Sequence, residues 1–404
     1  MIAAMTEAQI AELMAWIAGE GLAGRSETDV IGGFCERLGA HGVPLTRVIA
    51  FIDTLHPIYE GRAFRWERGI SGVTGTDYGR STEGEAAERW RASPFHHLLQ
   101  SGESALRRRV SAESEAEFIG LRGLREASIT DYVAIVDRFA AAGAIGGMDC
   151  FYSSWMTDRE SGFLDDEVAL LRRLTPFVGL AVKAASLGRM AQTLVETYLG
   201  RDPGRRVLDG RIARGVADRL KTVLWFSDLQ NFTRIADTAP PEQIIPLLND
   251  YADVVVSAIH ENEGDVLKLI GDGVLAIFPA AERAAACAAA LKAARSAWNA
   301  VEALNARRGA LGLPITDMYL GLHIGEVFYG NIGSEARLDF TVIGPAVNEV
   351  SRIAAMCRSI DQPVLLSQAF ASAAGDPRPF VSVGRYALRG VARPQELFTL
   401  DRAP

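Results

Sequence analysis

Asp265-Val-Leu-Lys-Leu-Ile-Gly-Asp-Gly-Val-Leu-Ala-Ile-Phe278 holds two short apolar runs around a Gly-Asp-Gly step, and its reading decides the fold of the C-terminal half. Branched and aliphatic residues on either side of such a step spell a tight β-hairpin. Upstream, Thr222-Val-Leu-Trp-Phe-Ser227 reads as a buried strand ending at Asp228. Pro240 and Pro241 then mark a helix start, where a missing N–H costs little. Ile244, Leu247, Leu248, Tyr251, Val255 and Ile259 give that helix an apolar face of 3.6-residue period. Downstream, an Ala-rich helix over about 282–307 leads into a strand across Met318–Phe328. The order β-α-β-β-α-β is the ferredoxin-like arrangement, and the expected fold class is α+β.

At 404 residues the chain suits two domains of ordinary size. A hydrophobic share of 49% with 23% charged residues is globular, which sets disorder aside. The net charge of −8 argues against nucleic acid as the main partner, because phosphate backbones need clustered Lys and Arg. Cys35, Cys150, Cys287 and Cys357 lack CxxC spacing, which fits a reducing cytoplasm rather than a zinc site or disulfide framework. The N-terminus lacks a basic-then-apolar signal pattern, and no stretch of about 18 apolar residues is free of charge. A cytoplasmic protein without a membrane span is expected.

In the N-terminal half, residues 26–43 read as a helix with Val30, Ile31, Phe34 and Leu38 on one side. Strands are expected at 45–53, 63–67, 130–136 and 148–153, the last two around glycines 143, 146 and 147. A helix from about 164 to 200 follows, its acidic first turn suited to the positive end of the helix dipole. Gly200-Arg-Asp-Pro-Gly-Arg205 should break it, and the charges over 201–221 suggest a solvated joint. The expected domains are 1–185, a helical linker over 186–214, and 215–404. His56, His96 and His97 show no ligand spacing. Arg107-Arg-Arg109 reads as a solvated charged face sooner than an anion site, and Trp66 as a pocket or core residue.

The chemistry lies in the C-terminal half. Asp228 at a strand end and Asp272 at a hairpin tip can project from one rim of a sheet. Two carboxylates there can share Mg²⁺ or Mn²⁺, hard cations that prefer oxygen, with triphosphate oxygens filling the other positions. Two ions bridged this way would activate an attacking oxygen and neutralise a leaving one. Lys268 can read a base edge, and Asn348 and Arg352, one helical turn apart, can grip a polyphosphate. Singly, each has an ordinary explanation: a strand-end cap, a turn, a snorkelling edge-strand lysine, a surface pair at i, i+4. Their joint occurrence in this order points to a nucleoside triphosphate.

Trp225-Phe-Ser-Asp-Leu-Gln-Asn-Phe-Thr233, Lys268-Leu-Ile-Gly-Asp272 and Phe340-Thr-Val-Ile-Gly-Pro-Ala-Val-Asn-Glu-Val-Ser-Arg352 resemble the class III nucleotidyl cyclase domain over about 215–400, with Leu388-Arg-Gly-Val391 near its end. The resemblance implies metal-binding roles for Asp228 and Asp272 and purine reading by Lys268. It places Thr341 where many members carry Asp and a subgroup carries Thr. It also implies ribose orientation by Asn348, transition-state contact by Arg352, substrate contacts at Phe232 and Thr233, and a pyrophosphate contact at Arg389. Family architecture implies a head-to-tail homodimer with the aspartates of one chain facing Lys268, Thr341, Asn348 and Arg352 of the other. Adenine N1 accepts a hydrogen bond and an ammonium only donates, so Lys268 complements ATP. Thr341 can accept from the adenine amino group or donate to a guanine oxygen. The expected activity is conversion of ATP to 3′,5′-cyclic AMP and pyrophosphate. The rivals are a guanylate cyclase and a catalytically silent nucleotide-binding regulator. No His or Glu stands out as a general base. A diguanylate cyclase would need a Gly-Gly-Asp/Glu-Glu-Phe turn, which is missing. Residues 25–185 resemble a GAF-like sensory domain in element order and in Gly162-Phe-Leu-Asp-Asp-Glu167, with small-ligand binding or dimerisation as its two expected roles.

Overall fold

The computed structural model describes residues 5–139, 145–279, 281–376, 378–391 and 393–401. The chain divides into two compact units, Met1–Leu194 and Val195–Pro404, both of mixed α and β structure.

The first unit opens with two helices, α1 (Glu7–Leu22) and α2 (Glu27–Ala40). Thr6 and Ser26 cap them by accepting from the backbone N–H three residues on, which satisfies donors the first helical turn leaves free. Strands β1 (Arg47–Asp53), β2 (Gly61–Glu67) and β3 (Thr74–Tyr78) lead to short helices α3 (Gly84–Arg91) and α4 (Pro94–Ser101). β4 (Ala105–Arg109), α5 (Ala112–Glu117), β5 (Asp131–Arg138), β6 (Cys150–Thr157) and the 35-residue α6 (Asp165–Leu199) complete it. The strands form one antiparallel sheet in the order β3-β2-β1-β6-β5-β4. Alternation assigns its two faces. Val48, Ala50, Ile52, Val133 and Ile135 pack with α1, α2 and α6, while Tyr132, Ala134 and Val136 pack with Phe95 and Leu98 of α4. Expected strands and helices fall where the periodicity put them, apart from α1, β3, β4 and the three short helices. The strands and short helices are too short or too polar to carry a period, whereas α1 carries one in Ile10, Leu13 and Ile17 that the sequence reading missed. Gly143 lies outside the described residues. Trp66 packs in the core. The arginine run is held by internal ion pairs, Arg107 and Arg109 to Asp131 and Arg108 to Glu117, and so is less solvated than the sequence suggests.

The second unit corrects the expected joint. Gly200, at φ +92°, ends α6, yet the chain turns straight into another helix, α7 (Arg201–Leu208), which buries Pro203 and Gly204. Pro203 sits in the first turn, where it removes no helical hydrogen bond. Asp202 accepts from the Tyr329 hydroxyl at 2.8 Å and pairs with Arg206, so the stretch packs around Asp202–Gly204, while residues 208–219 are exposed as the sequence suggests.

β7 (Ala217–Leu229), α8 (Phe232–Thr238), α9 (Pro241–Glu261), β8 (Asp265–Ile270), β9 (Gly273–Phe278), α10 (Arg283–Ala310) and β10 (Met318–Gly333) follow. Their strands lie in the order β10-β7-β9-β8 with every neighbour antiparallel, the ferredoxin-like 4-1-3-2 pattern. The remaining elements are β11 (Leu338–Ile343), α11 (Pro345–Ile360), β12 (Val364–Ser367), α12 (Gln368–Ala373), β13 (Phe380–Tyr386) and β14 (Gln395–Leu400). β11 pairs with the far end of β10, and β12, β14 and β13 widen the sheet on the other side. Helices α9 and α10 cover one face around Val223, Trp225 and Phe278. Helix α11 covers the other around Leu224, Ile277 and Val350. Its close approach to β10 depends on Gly321, where a Cβ would lie 2.7 Å from the Ala354 nitrogen and the Val350 oxygen.

Candidate active site

Asp228 is the penultimate residue of β7, and Asp272 occupies the two-residue turn between β8 and β9, where Gly271 takes φ +63°. β7 pairs with β9, so the strand end and the turn meet at one rim. Both aspartates line a cavity of about 220 Å³ with Ile245, Leu248 and Asn249 of α9. The Leu229 N–H donates to Asp272 Oδ2 at 3.1 Å, fixing that carboxylate beside the strand. Burial, and then the negative charge of Asp272, pushes the Asp228 carboxyl up to about 6. Its Oδ1 is buried without a hydrogen-bond partner. An orphaned carboxylate oxygen facing a second acid is costly alone and is relieved by a cation. The pair therefore fits Mg²⁺ or Mn²⁺ chemically. Among the described residues no group of three or more His, Cys, Asp or Glu converges, so the protein supplies two carboxylates and leaves further coordination to other oxygens.

Lys268 lies on β8, the edge strand of the sheet, just past a register shift between Val266 and Lys268. Its ammonium donates to the carboxylate of Asp339 on β11, and both side chains are about two-fifths exposed (43% and 42%). Thr341 is two residues further along the same strand, hence on the same face as Asp339, with Phe340 buried between them against Tyr329. Sequence reading missed Asp339, although the two-residue strand period from Thr341 was the signal that could have found it.

Asn348 and Arg352 lie one turn apart on α11, Asn348 exposed and Arg352 half-buried. A Cβ on Gly390 would lie 3.3 Å from the Arg352 guanidinium, so the backbone of the 388–391 turn abuts that side chain. The exposed Arg389 is therefore a chain neighbour of the Arg352 contact. Phe232 and Thr233 open α8, four and five residues after Asp228, with Phe232 half-buried and Thr233 exposed.

Behind α11, His323 of β10 contacts Ser367 Oγ through Nδ1 at 2.8 Å and Glu349 through Nε2 at 3.3 Å. The Ser-His-Glu order invites a nucleophile reading, but Ser367 is fully buried and caps α12 by accepting from Phe370 N–H. Burial holds His323 down to about 4 and raises Glu349. The histidine is thus neutral near pH 7 and serves to brace α11 beside Asn348.

The structure thus gathers three groups: the two aspartates, Lys268 with Asp339 and Thr341, and Asn348 with Arg352 against the 388–391 turn. No hydrogen bond or ion pair among the described residues links Asp228 or Asp272 to Asn348 or Arg352 within one chain.

Residues 218–400 match the family model for the adenylate and guanylate cyclase catalytic domain. Adenylate cyclase 1 of Rhizobium meliloti is 29% identical over 188 residues, 45% of this chain and 27% of that protein. An adenylate cyclase of Anabaena cylindrica is 30% identical over 166 residues, 41% of this chain and 33% of that protein. The chain therefore spans a third or less of the length of these relatives. Among solved structures, the adenylyl cyclase CyaB from P. aeruginosa aligns with TM-score 0.43 and 23% identity, over 47% of this chain and 97% of that one.

Proposed function

Because residues 218–400 match the family model for the adenylate and guanylate cyclase catalytic domain, we propose that this chain is an adenylate cyclase, converting ATP to 3′,5′-cyclic AMP and pyrophosphate. The observation that carries the reading is the Asp228–Asp272 pair, two acids at one rim with an unpartnered buried oxygen between strand and hairpin. Asp228 and Asp272 would hold Mg²⁺ or Mn²⁺, which would supply charge neutralisation for the triphosphate and favour loss of the attacking hydroxyl's proton.

The residues divide the remaining work. Asn348 orients the ribose so that its 3′-oxygen stands in line with the α-phosphorus. Arg352 meets charge developing on the α-phosphoryl oxygens, and its position against the 388–391 turn limits its freedom to swing. Phe232 and Thr233 contact the substrate from the start of α8, and Arg389 reaches the outgoing pyrophosphate. No residue is assigned as a general base; the attacking hydroxyl's proton passes to a substrate phosphate or to a metal-held hydroxide. Lys268 donates to adenine N1, and Thr341 accepts from the adenine amino group.

A guanylate cyclase is the second reading, and Asp339 is what favours it. A carboxylate next to Lys268 is an acceptor that guanine N1–H and its amino group would satisfy. The family resemblance implies a head-to-tail homodimer with two composite sites, the aspartates of one chain facing Lys268, Thr341, Asn348 and Arg352 of the other. In the first unit, the 3-2-1-6-5-4 antiparallel sheet and closing helix support a GAF-like regulatory domain, with a small-molecule ligand or dimerisation as its function. Four free cysteines, all buried, fit a cytoplasmic setting. Among the described residues no helix is long and apolar enough to cross a membrane.

The test is direct. Purified chain is incubated with ATP or GTP and Mn²⁺ or Mg²⁺, and cyclic nucleotides are separated by chromatography. Cyclic AMP that disappears with EDTA supports the reading. Predominant cyclic GMP turns it to the guanylate alternative, and no cyclic nucleotide under any pairing refutes both.

A further inference from the structure

Lys268 and Thr341, the two residues assigned to the base, stand on different strands, β8 and β11. β8 pairs with β9 and β11 with β10, so among the described residues no backbone ladder fixes the spacing of the two side chains. The Lys268–Asp339 ion pair does join the strands. Both its side chains are about two-fifths exposed, however, and such pairs hold little on their own. Something besides strand pairing has to set the distance.

Helix α7 contacts both sides. Toward β8, Gly200 brings the start of the helix so close that a Cβ there would collide with the Val266 oxygen, two residues before Lys268. Arg201 donates to the Gly264 carbonyl at 3.2 Å and faces Asp265 at 3.8 Å. Toward β10, the Tyr329 hydroxyl donates to Asp202 Oδ2 at 2.8 Å. Arg206 donates to the same oxygen at 2.6 Å, and its guanidinium lies 5.0 Å from the centre of the Tyr329 ring. That ring meets Phe340 edge-on, with centroids 5.0 Å apart. Phe340 is the residue between Asp339 and Thr341. Val207 of α7 packs against the same apolar cluster, which also holds Leu267, the neighbour of Lys268. A cavity of about 220 Å³ flanks Tyr329 and Phe340, so β11 has room to shift when this contact loosens.

We propose that Asp202 and Tyr329 are positioning residues for base recognition: α7 clamps β8 to the β10–β11 pair through their hydrogen bond and so sets the distance between Lys268 and Thr341. The inference rests on the reading of those two residues as base contacts. A purine that bonds to both needs each heavy-atom distance within a window of about half an ångström. Discrimination between purines depends on leaving the wrong one's groups unpaired, and it fades when the frame can adjust to either. The clamp stands apart from the metal site, since neither Asp202 nor Tyr329 lines the Asp228–Asp272 cavity.

The test is calorimetric titration of the full chain with Mn²⁺ and with ATP and GTP analogues whose α- and β-phosphorus atoms are bridged by methylene, which cannot release pyrophosphate. The ratio of the two dissociation constants is the readout, because a misfolded fraction changes the stoichiometry and not that ratio. Tyr329→Phe keeps the ring and loses the hydroxyl, and Asp202→Ala removes the acceptor. Each should shrink the preference by about two- to tenfold, the equivalent of one hydrogen bond. The double variant should fall no further than either single one, since all three break the same bond. Asp202→Asn keeps an acceptor oxygen and should hold the wild-type ratio. A ratio unchanged in Tyr329→Phe and Asp202→Ala overturns the proposal, as does a loss in Asp202→Asn equal to that in Asp202→Ala. Equal binding of the two analogues by the wild-type chain refutes base reading itself, whereas a wild-type preference that the variants keep refutes the clamp alone.

Discussion

Asp228→Asn should make the metal-free protein more stable while removing its activity. Burial and Asp272 lift the Asp228 carboxyl from 3.8 to about 6, so folding must carry a charge that the native site disfavours. That gap corresponds to about 3 kcal/mol for a sealed site at neutral pH. Asp228 is only half-buried, and solvent screening reduces the figure to about 1–2 kcal/mol. The sign follows from proton binding. Below pH 3.8 the carboxyl is protonated folded or unfolded, and nothing is lost. As pH rises from 3.8 to about 6 the unfolded chain releases its proton first, so native stability falls. Above that window the penalty is complete, and asparagine avoids it. Calorimetry in EDTA at pH 7.5 should show one transition shifted upward by roughly 2–8 °C in the variant, given about 2–4 °C per kcal/mol for a domain of this size. Mn²⁺ should stabilise the wild-type transition and leave the variant's in place. A variant that melts at or below wild type at pH 7.5 would refute the electrostatic reading, as would a gain undiminished at pH 4.

Mixing Asp228→Ala and Arg352→Ala chains in equal amounts should restore about a quarter of wild-type cyclase activity, because half the dimers are mixed and each holds one intact site of two. A mixture as inactive as its parents rules out the composite site. Arg352→Ala alone should lower kcat by about a hundred- to a thousandfold, the usual loss on removing one transition-state charge contact; stopped-assay product formation reads this. Gly321→Ala should cost roughly 1–3 kcal/mol, since the added methyl meets the α11 backbone at 2.7 Å, and denaturant titration measures it. Asp339→Asn removes an exposed ion pair and should change stability by less than about 1 kcal/mol. It should lower KM for ATP by freeing Lys268, and an unchanged KM would show that the pair does not compete with the base.

The hairpin around Gly271-Asp272 and the apolar face of α9 were legible because their signals are local: a turn that needs positive φ, and a period of 3.6. The strands of the second unit's first half emerge in the expected order for that reason. The joint is solvated over 208–219 as its charges imply, but its start around Asp202 is packed. Asp202 is instead satisfied by Tyr329, more than a hundred residues away in sequence. β13 escaped notice because its exposed residues dilute the alternation, and β14 because it spans only six residues. Asp339 escaped because its partner, Lys268, sits on another strand.

By itself the sequence determined which residues could hold a cation, read a base or grip a phosphate, since donor type and charge are properties of the side chain alone. Only the tertiary structure decided that Asp228 and Asp272 share one cavity and that Lys268 starts out paired to Asp339. Those facts depend on strand pairing and burial between residues far apart in the chain, and both the proton affinity of a carboxyl and the exposure of a leucine are set by neighbours that no local pattern specifies.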